Sequence, residues 1–177
     1  MTDTTDITIF TVGHSTHPID EFIGILKAHG IRKLVDVRTV PKSRHNPQFN
    51  SDALAASVRA GGITYRRMAS LGGLRHARKD SPNGAWRNAS FRGFADYMQT
   101  GEFSTAIDQL LARGRSNNLA IMCAEAVPWR CHRSLIGDAL LVRNVEVLDI
   151  MTEKSAKPHT LTSFARVEGE RVWYPAG

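Results

Sequence analysis

The sequence predicts an α/β fold: a single-domain, three-layer sandwich with a mainly parallel, Rossmann- or flavodoxin-like central sheet and a small C-terminal β extension. Short apolar runs alternate with stretches of helical spacing, which is the pattern of strand-helix-strand units. The first such unit has connections of only a few residues, so its strands pair in parallel through a right-handed crossover. A length of 177 residues with 42% hydrophobic content fits one domain over 1–177, its core at about 7–150 and its extension at about 160–175.

The elements follow in order. Ile7 to Val12 alternates threonine with apolar side chains and reads as the first strand. After the turn Gly13-His14-Ser15-Thr16, Pro18 suits a first helical position and Asp20 and Glu21 complement the positive end of the helix dipole. Ile19, Phe22, Ile23 and Leu26 form its apolar stripe, and Gly30 marks its stop. Lys33 to Val37 is the second strand. The polar loop Pro41 to Phe49 carries two prolines that exclude a continuous helix. A helix from Asp52 to Ala60 stops at Gly61-Gly62, and a strand follows at Ile63 to Arg67. Residues 69 to 90, rich in Gly, Arg, Ser and Asn, read as a lid or a surface loop.

Phe91, Phe94, Ala95 and Met98 mark a short helix, and Ile107, Leu110 and Leu111 another that ends near Gly114. Leu119 to Met122 is a buried strand, and Leu135, Ile136, Ala139 and Leu140 recur at helical spacing after it. Val145 to Leu148 is a fifth strand, residues 152 to 160 read as a linker, and Leu161 to Tyr174 turns at Glu168-Gly169-Glu170 as a hairpin or edge extension.

Composition narrows the functional classes. Two cysteines cannot form a secreted disulfide framework, and the start Met-Thr-Asp-Thr-Thr-Asp has neither the basic nor the apolar part of a signal peptide. With no apolar run of membrane-spanning length, the expectation is a cytoplasmic protein with reduced thiols and no membrane partner. The net charge of +6 is uneven: residues 31 to 92 hold thirteen Lys and Arg against three Asp and Glu. Arginine supplies 17 of the 23 basic residues, and its planar fork suits phosphate and carboxylate. A small anionic ligand or a nucleic acid is the partner this implies; a solvated basic face is the plainer alternative.

Candidate site residues stand at the strand ends. His14 and Ser15 follow the first strand, Asp36 and Arg38 end the second, and Glu125 follows the strand that carries Cys123. In a parallel sheet these ends share one edge, so His14, Asp36, Arg38, Glu125, His132 and Arg133 are expected to meet in one crevice. Each also has a structural role open to it: a helix cap for His14 and Ser15, an ion pair for Asp36 with Arg38, loop bonds for Glu125. Cys131 stands at a helix start beside Arg130, His132 and Arg133, where positive charge and the helix dipole lower a thiol pKa. Cys123, ending a buried strand, reads as a small hydrophobe.

Other chemistries lack their signatures. There is no dinucleotide fingerprint and no P-loop. Cys123-Ala124-Glu125 shares half of the zinc deaminase pattern without its Pro-Cys-x-x-Cys partner, and the spacing from Cys123 to Cys131-His132 matches no zinc site, so no metal is assigned and the cofactor stays open.

Taken together, Thr11-Val-Gly-His-Ser, Asp36-Val-Arg38, Pro41-x-Ser43 with Pro47-x-Phe49, Leu71-Gly-Gly-Leu74, Phe94-Ala-x-Tyr97-Met and Cys123-Ala-Glu-x-x-Pro-x-x-Cys-His-Arg133 closely resemble the domain-of-unknown-function 488 family, from about Ile7 to Pro175. The resemblance implies a cytoplasmic bacterial or archaeal α/β protein and marks His14, Ser15, Asp36, Arg38, Ser43, Glu125, Cys131, His132 and Arg133 as shared positions. It implies no settled activity.

Two readings follow. In the first, an anion-binding pocket at the carboxyl edge of the sheet serves a thiol-assisted enzyme. Cys131 is its nucleophile or redox thiol, His132 or His14 handles protons, Glu125 orients a neighbour, and Ser15, Asp36, Arg38, Ser43, Arg130 and Arg133 contribute to the binding of an anionic or nucleic-acid-derived substrate. In the second, the Arg-rich region tracks nucleic-acid phosphates, Tyr65, Trp86 or Phe91 stacks on bases, and the cysteines are structural.

Overall fold

The structure is a computed structural model that describes Thr4 and residues 6–177. Its centre is a six-stranded sheet. β1 (Thr8–Gly13), β2 (Lys33–Asp36), β3 (Thr64–Arg67), β4 (Leu119–Cys123) and β5 (Glu146–Thr152) run parallel, and β6 (Ser155–Pro158) closes one edge antiparallel to β5, in the order β3-β2-β4-β1-β5-β6. The strand formed from the middle of the sequence, β4, is inserted between β1 and β2. All five of its residues are buried, as expected of a strand covered by helices on both faces.

Helices α1 (Ile19–Ala28) and α2 (Ser51–Ala60) cover one face, and α3 (Ala89–Tyr97), α4 (Gly101–Arg113) and α5 (Arg133–Leu141) cover the other. Phe22, Leu26, Leu54 and Val58 pack on Val12, Leu34, Ala120 and Met122. On the opposite face Phe94, Phe103, Ile107, Leu110, Leu135 and Ile136 pack on Ile9, Val35, Ile121 and Val147. Each such fully buried side chain contributes about 1.5–3 kcal/mol. The helix ends follow local chemistry. Asn88 accepts from the N–H groups of Ser90 and Phe91 to start α3, Thr100 accepts from Phe103 N–H to start α4, and Gly30 takes the left-handed turn (φ 70°) after α1.

Two features depart from the sequence expectation. The linker read at residues 152 to 160 contains β6, whose short polar run Ser-Ala-Lys-Pro carries no strand periodicity; its proline is tolerated because the strand lies at the sheet edge. The segment read as a lid or surface loop is tied down: Asp96 accepts from Arg78 N–H, Ser81 Oγ and Asn83 Nδ2, while Tyr97 donates to Ser70 O. The expected terminal hairpin is present as β7 (Arg166–Glu168) and β8 (Arg171–Trp173).

The C-terminal segment completes the core instead of hanging from it. Tyr174 packs into the α3–α5 face and donates to Asp138 of α5 (2.7 Å). Asp138 also accepts from Thr162 and faces His159 Nε2 (3.0 Å), whose Nδ1 faces Asp149 of β5 (2.9 Å). With a carboxylate on each ring nitrogen, His159 has its pKa raised to about 9 even though burial opposes the charge.

Candidate functional site

The strand ends meet as the parallel topology requires. β1, β4 and β2 are neighbours, and their pairing continues past the strands: His14 N–H donates to Cys123 O (2.9 Å), Ser15 N–H to Ala124 O (3.0 Å) and Val37 N–H to Met122 O (3.0 Å). Gly13 permits this closeness, because a Cβ there would lie 1.7 Å from Glu125 O. Ser15 takes a left-handed conformation (φ 49°) that turns the chain away from the sheet.

Register then divides the residues between two faces. Asp36 pairs with Met122, and Val12 pairs with Met122 on the other side, so Asp36, Met122 and His14 share the face covered by α1 and α2. Cys123, one residue further, points to the opposite face.

On the first face, Asp36 is fully buried and accepts from Arg38 Nε (2.9 Å), Arg38 Nη2 (2.7 Å), Arg38 N–H (3.0 Å) and the Tyr65 hydroxyl (2.5 Å). Burial and this carboxylate push the Tyr65 hydroxyl pKa up. Arg38 Nη1 lies 3.4 Å from His14 Nε2, while His14 Nδ1 lies 2.8 Å from Ser15 O. The carbonyl fixes the proton on Nδ1, which leaves the Nε2 lone pair for Arg38. Burial lowers the His14 pKa to about 4, and Arg38 lowers it further against the opposing pull of the Ser15 carbonyl and Asp36. The ring stacks on Phe49 with centroids 4.2 Å apart. At neutral pH, His14 is therefore an uncharged acceptor, and a proton donor only in acid.

On the second face, Cys123 and Cys131 are both free and buried. Cys123 Sγ lies 3.6 Å from Glu125 O, the carbonyl that also accepts from Arg133 Nη2 (3.3 Å). Arg133 opens α5, is 1% exposed, and also donates to Ala126 O (3.2 Å). Its Nε and Nη1 have no partner among the described residues, and no carboxylate balances its charge. His132 Nε2 lies 2.8 Å from Leu71 O, so the proton sits on Nε2 and the bare Nδ1 faces Cys131 Sγ at 3.6 Å. The turn through Gly72-Gly73 rests on this ring: a Cβ on Gly73 would lie 2.6 Å from His132 Nδ1. Burial lowers the His132 pKa and keeps the ring neutral.

The two thiols titrate as a pair. Burial would raise Cys123, yet the hydrogen bond from Cys131, the Arg133 charge and the Glu125 backbone together bring it below the ordinary thiol value. Donating that bond raises Cys131, and burial raises it further. The direction of the shift therefore favours ionisation at Cys123 over Cys131.

Some expected members stand apart. The side chains of Glu125 and Arg130 are exposed and make no hydrogen bond among the described residues; Glu125 contributes its carbonyl. Ser43 braces its own loop, accepting from Asn46 N–H (3.0 Å) and donating its N–H to Asn50 Oδ1 (2.7 Å). Tyr65 is engaged by Asp36, and Trp86 packs edge-on against Phe91, Phe164 and Tyr174, so neither ring stands free as a stacking platform. Among the described residues no group of three His, Cys, Asp or Glu side chains is placed to hold a metal ion, and no helix is long and apolar enough to cross a membrane.

The topology and this edge define a parallel α/β protein whose polar side chains gather at the carboxyl ends of adjacent central strands. The chain belongs to the family described as Domain of unknown function DUF488, whose model matches residues 18–140, from the entry of α1 into α5. That span includes Asp36, Arg38, Cys123 and Arg133 and stops before β5, β6 and the terminal hairpin. None of the curated proteins and none of the solved structures matches the chain.

Proposed function

We propose that the protein is a thiol-assisted enzyme acting on a small anionic substrate at the carboxyl edge of its sheet, with Cys123 as the nucleophile. The observation that carries this reading is Arg133, a guanidinium buried at a helix N-terminus near two thiols, with two nitrogens unpartnered and no ion pair to a carboxylate among the described residues. A buried charge of this kind is costly unless an anion balances it. The Cys123 thiolate is the nearest candidate, and the first turn of α5 adds its dipole to the same pole. Arg133 then serves the thiolate at rest and shares its donors with incoming substrate oxygens. The His14–Arg38–Asp36–Tyr65 network, closed and internally satisfied, fixes the neighbouring strand ends.

The reading is tested by following thiolate ultraviolet absorbance against pH, a readout that does not depend on reagent access, in the protein and in Cys123→Ser and Arg133→Met. A midpoint well below the ~8.5 of a free cysteine is expected, absent in Cys123→Ser and moved up to or beyond ~8.5 in Arg133→Met. A first ionisation at or above ~8.5 in the unaltered protein refutes the proposal.

A further inference from the structure

We infer that a cavity at the carboxyl end of β5 is a binding site for a small planar aromatic carboxylate. None of Cys123, Cys131 and Arg133 lines it, and β1 separates β5 from β4, so the site stands or falls independently of the thiol reading.

The backbone makes the space. β5 and β6 pair Asp149 with Lys157 and Ile150 with Ala156, and the next pair is Thr152 with Ser155, which leaves Met151 as an extra residue. A bulge of this kind re-aims a side chain, and Met151 lines the cavity. The turn Pro128–Arg130 adds Trp129, and the segment after β6 adds Thr160 and Phe164. The volume is about 480 Å³, within the ~300–1,000 Å³ usual for small-molecule sites.

The rings select a flat ligand. Trp86 and Phe164 meet edge to face, with centroids 4.9 Å apart and planes at 75°, and Trp86 is held further by Phe91 and Tyr174. Trp129 lines the same cavity, is 66% exposed, and touches no other ring among the described residues. Phe164 remains 40% exposed despite its partners. Two large apolar side chains are thus left in water around one cavity, where a bound aromatic ring covers both and stacks on the free indole.

The charges select the sign. Asp149 accepts from the Thr11 hydroxyl through Oδ1 and faces His159 Nδ1 through Oδ2, while His159 Nε2 faces Asp138. These groups are engaged with one another. Lys157, opposite Asp149 in the sheet, also lines the cavity, is exposed, and has neither hydrogen bond nor ion pair among the described residues. The Thr160 hydroxyl is equally unengaged. One free ammonium matches one negative charge, with a hydroxyl at hand for its oxygens. No arginine lines the cavity, so the planar fork suited to a phosphate group is missing and a carboxylate fits better.

The experiment titrates 2-naphthoate into the isotope-labelled full chain and follows the indole N–H signals of the three tryptophans by nuclear magnetic resonance, Trp129 being identified by its loss in Trp129→Phe. A saturable movement of the Trp129 signal is expected while Trp173, which lies outside the cavity, stays in place. The expected Kd is roughly 0.1–1 mM, the strength open to a ligand of this size. The uncharged 2-naphthamide is expected to bind about two- to fivefold more weakly, and Lys157→Gln to abolish that difference. Trp129→Ala is expected to weaken both ligands about three- to tenfold. Both substitutions fall on exposed side chains and leave the core intact. Absence of a saturable shift up to ~10 mM, or binding that is undiminished in Trp129→Ala, overturns the site. Equal binding of acid and amide overturns the role of Lys157, and tighter binding of 2-naphthyl phosphate than of 2-naphthoate overturns the choice of a carboxylate.

Discussion

Two histidines, His159 and His14, shift in opposite directions across neutral pH, and together they prescribe the shape of the stability profile. His159 has its pKa raised from 6.5 to about 9 by the carboxylates of Asp138 and Asp149, against the cost of burial. Its folded state binds a proton that the unfolded chain releases earlier, so its stabilisation is fully present below 6.5 and is lost as pH rises through about 9. The gap corresponds to about 3 kcal/mol, lost at a limiting slope of about 1.4 kcal/mol per pH unit. His14 runs the other way. Burial depresses it from 6.5 to about 4, so its contribution is present above 6.5 and is lost as pH falls toward 4, by an amount of the same order. His132, also depressed by burial, adds to this acid limb. The stability maximum is therefore expected near pH ~6.5. Urea unfolding of the protein, His159→Gln and His14→Gln across this range separates the limbs, because titrations common to all three cancel in the differences. His159→Gln is expected to remove most of the alkaline decline, and His14→Gln to flatten the acid side between ~6.5 and ~5. An unaltered protein whose stability stays level or rises between pH 6.5 and 9, with the same profile in His159→Gln, refutes the assignment of a charged His159 to the core.

Two further perturbations probe the strand ends. Arg38→Ala strips the buried Asp36 of its guanidinium and is expected to cost about 3–5 kcal/mol in chemical denaturation, with Asp36→Asn in the same background recovering part of the loss by discharging the carboxylate; equal stability of the single and double variants tells against a buried ion pair. Gly13→Ala places a methyl against Glu125 O and moves the 124–126 backbone to which Arg133 donates, so the first thiol midpoint is expected to rise toward the ordinary value while the far-ultraviolet spectrum is unchanged; an unmoved midpoint shows that the placing of this loop and of Arg133 does not help to hold the Cys123 thiolate.

Much of the architecture is legible in the chain because the central strands are short apolar runs, buried on both faces and punctuated by glycine-rich or capped helix ends. β6 is not, since Ser155-Ala-Lys-Pro158 pairs only because β5 offers it an open edge. The gathering of polar strand ends follows from parallel topology alone. What the chain does not disclose is parity. Whether Asp36 and Cys123 point to the same face depends on which residues are in register, and register requires knowing that β4 lies between β1 and β2. The same gap hides the surroundings of the two thiols: helix proximity points to Cys131, while the charge of Arg133 and the Glu125 backbone bear on Cys123. The His159 bridge escapes because its partners, on α5 and β5, lie 21 and 10 residues away in segments with no polar motif.

The place of β4 in the sheet also orders events during synthesis. β1 and β2 emerge from the ribosome with a strand-wide gap between them, so each presents an unpaired inner edge through the translation of α2, β3, α3 and α4. Only the arrival of Leu119–Cys123 closes the gap, and the residues that follow at once are the loop and helix carrying Cys131 and Arg133. The sulfur site is thus finished in the same step that closes this gap, before β5 and β6 are added to the sheet. A nascent chain halted before β4 leaves β1 unpaired on both sides and β2 unpaired on its inner one, all open to pairing with other chains, and its survival depends on whatever shields them until β4 and β5 arrive.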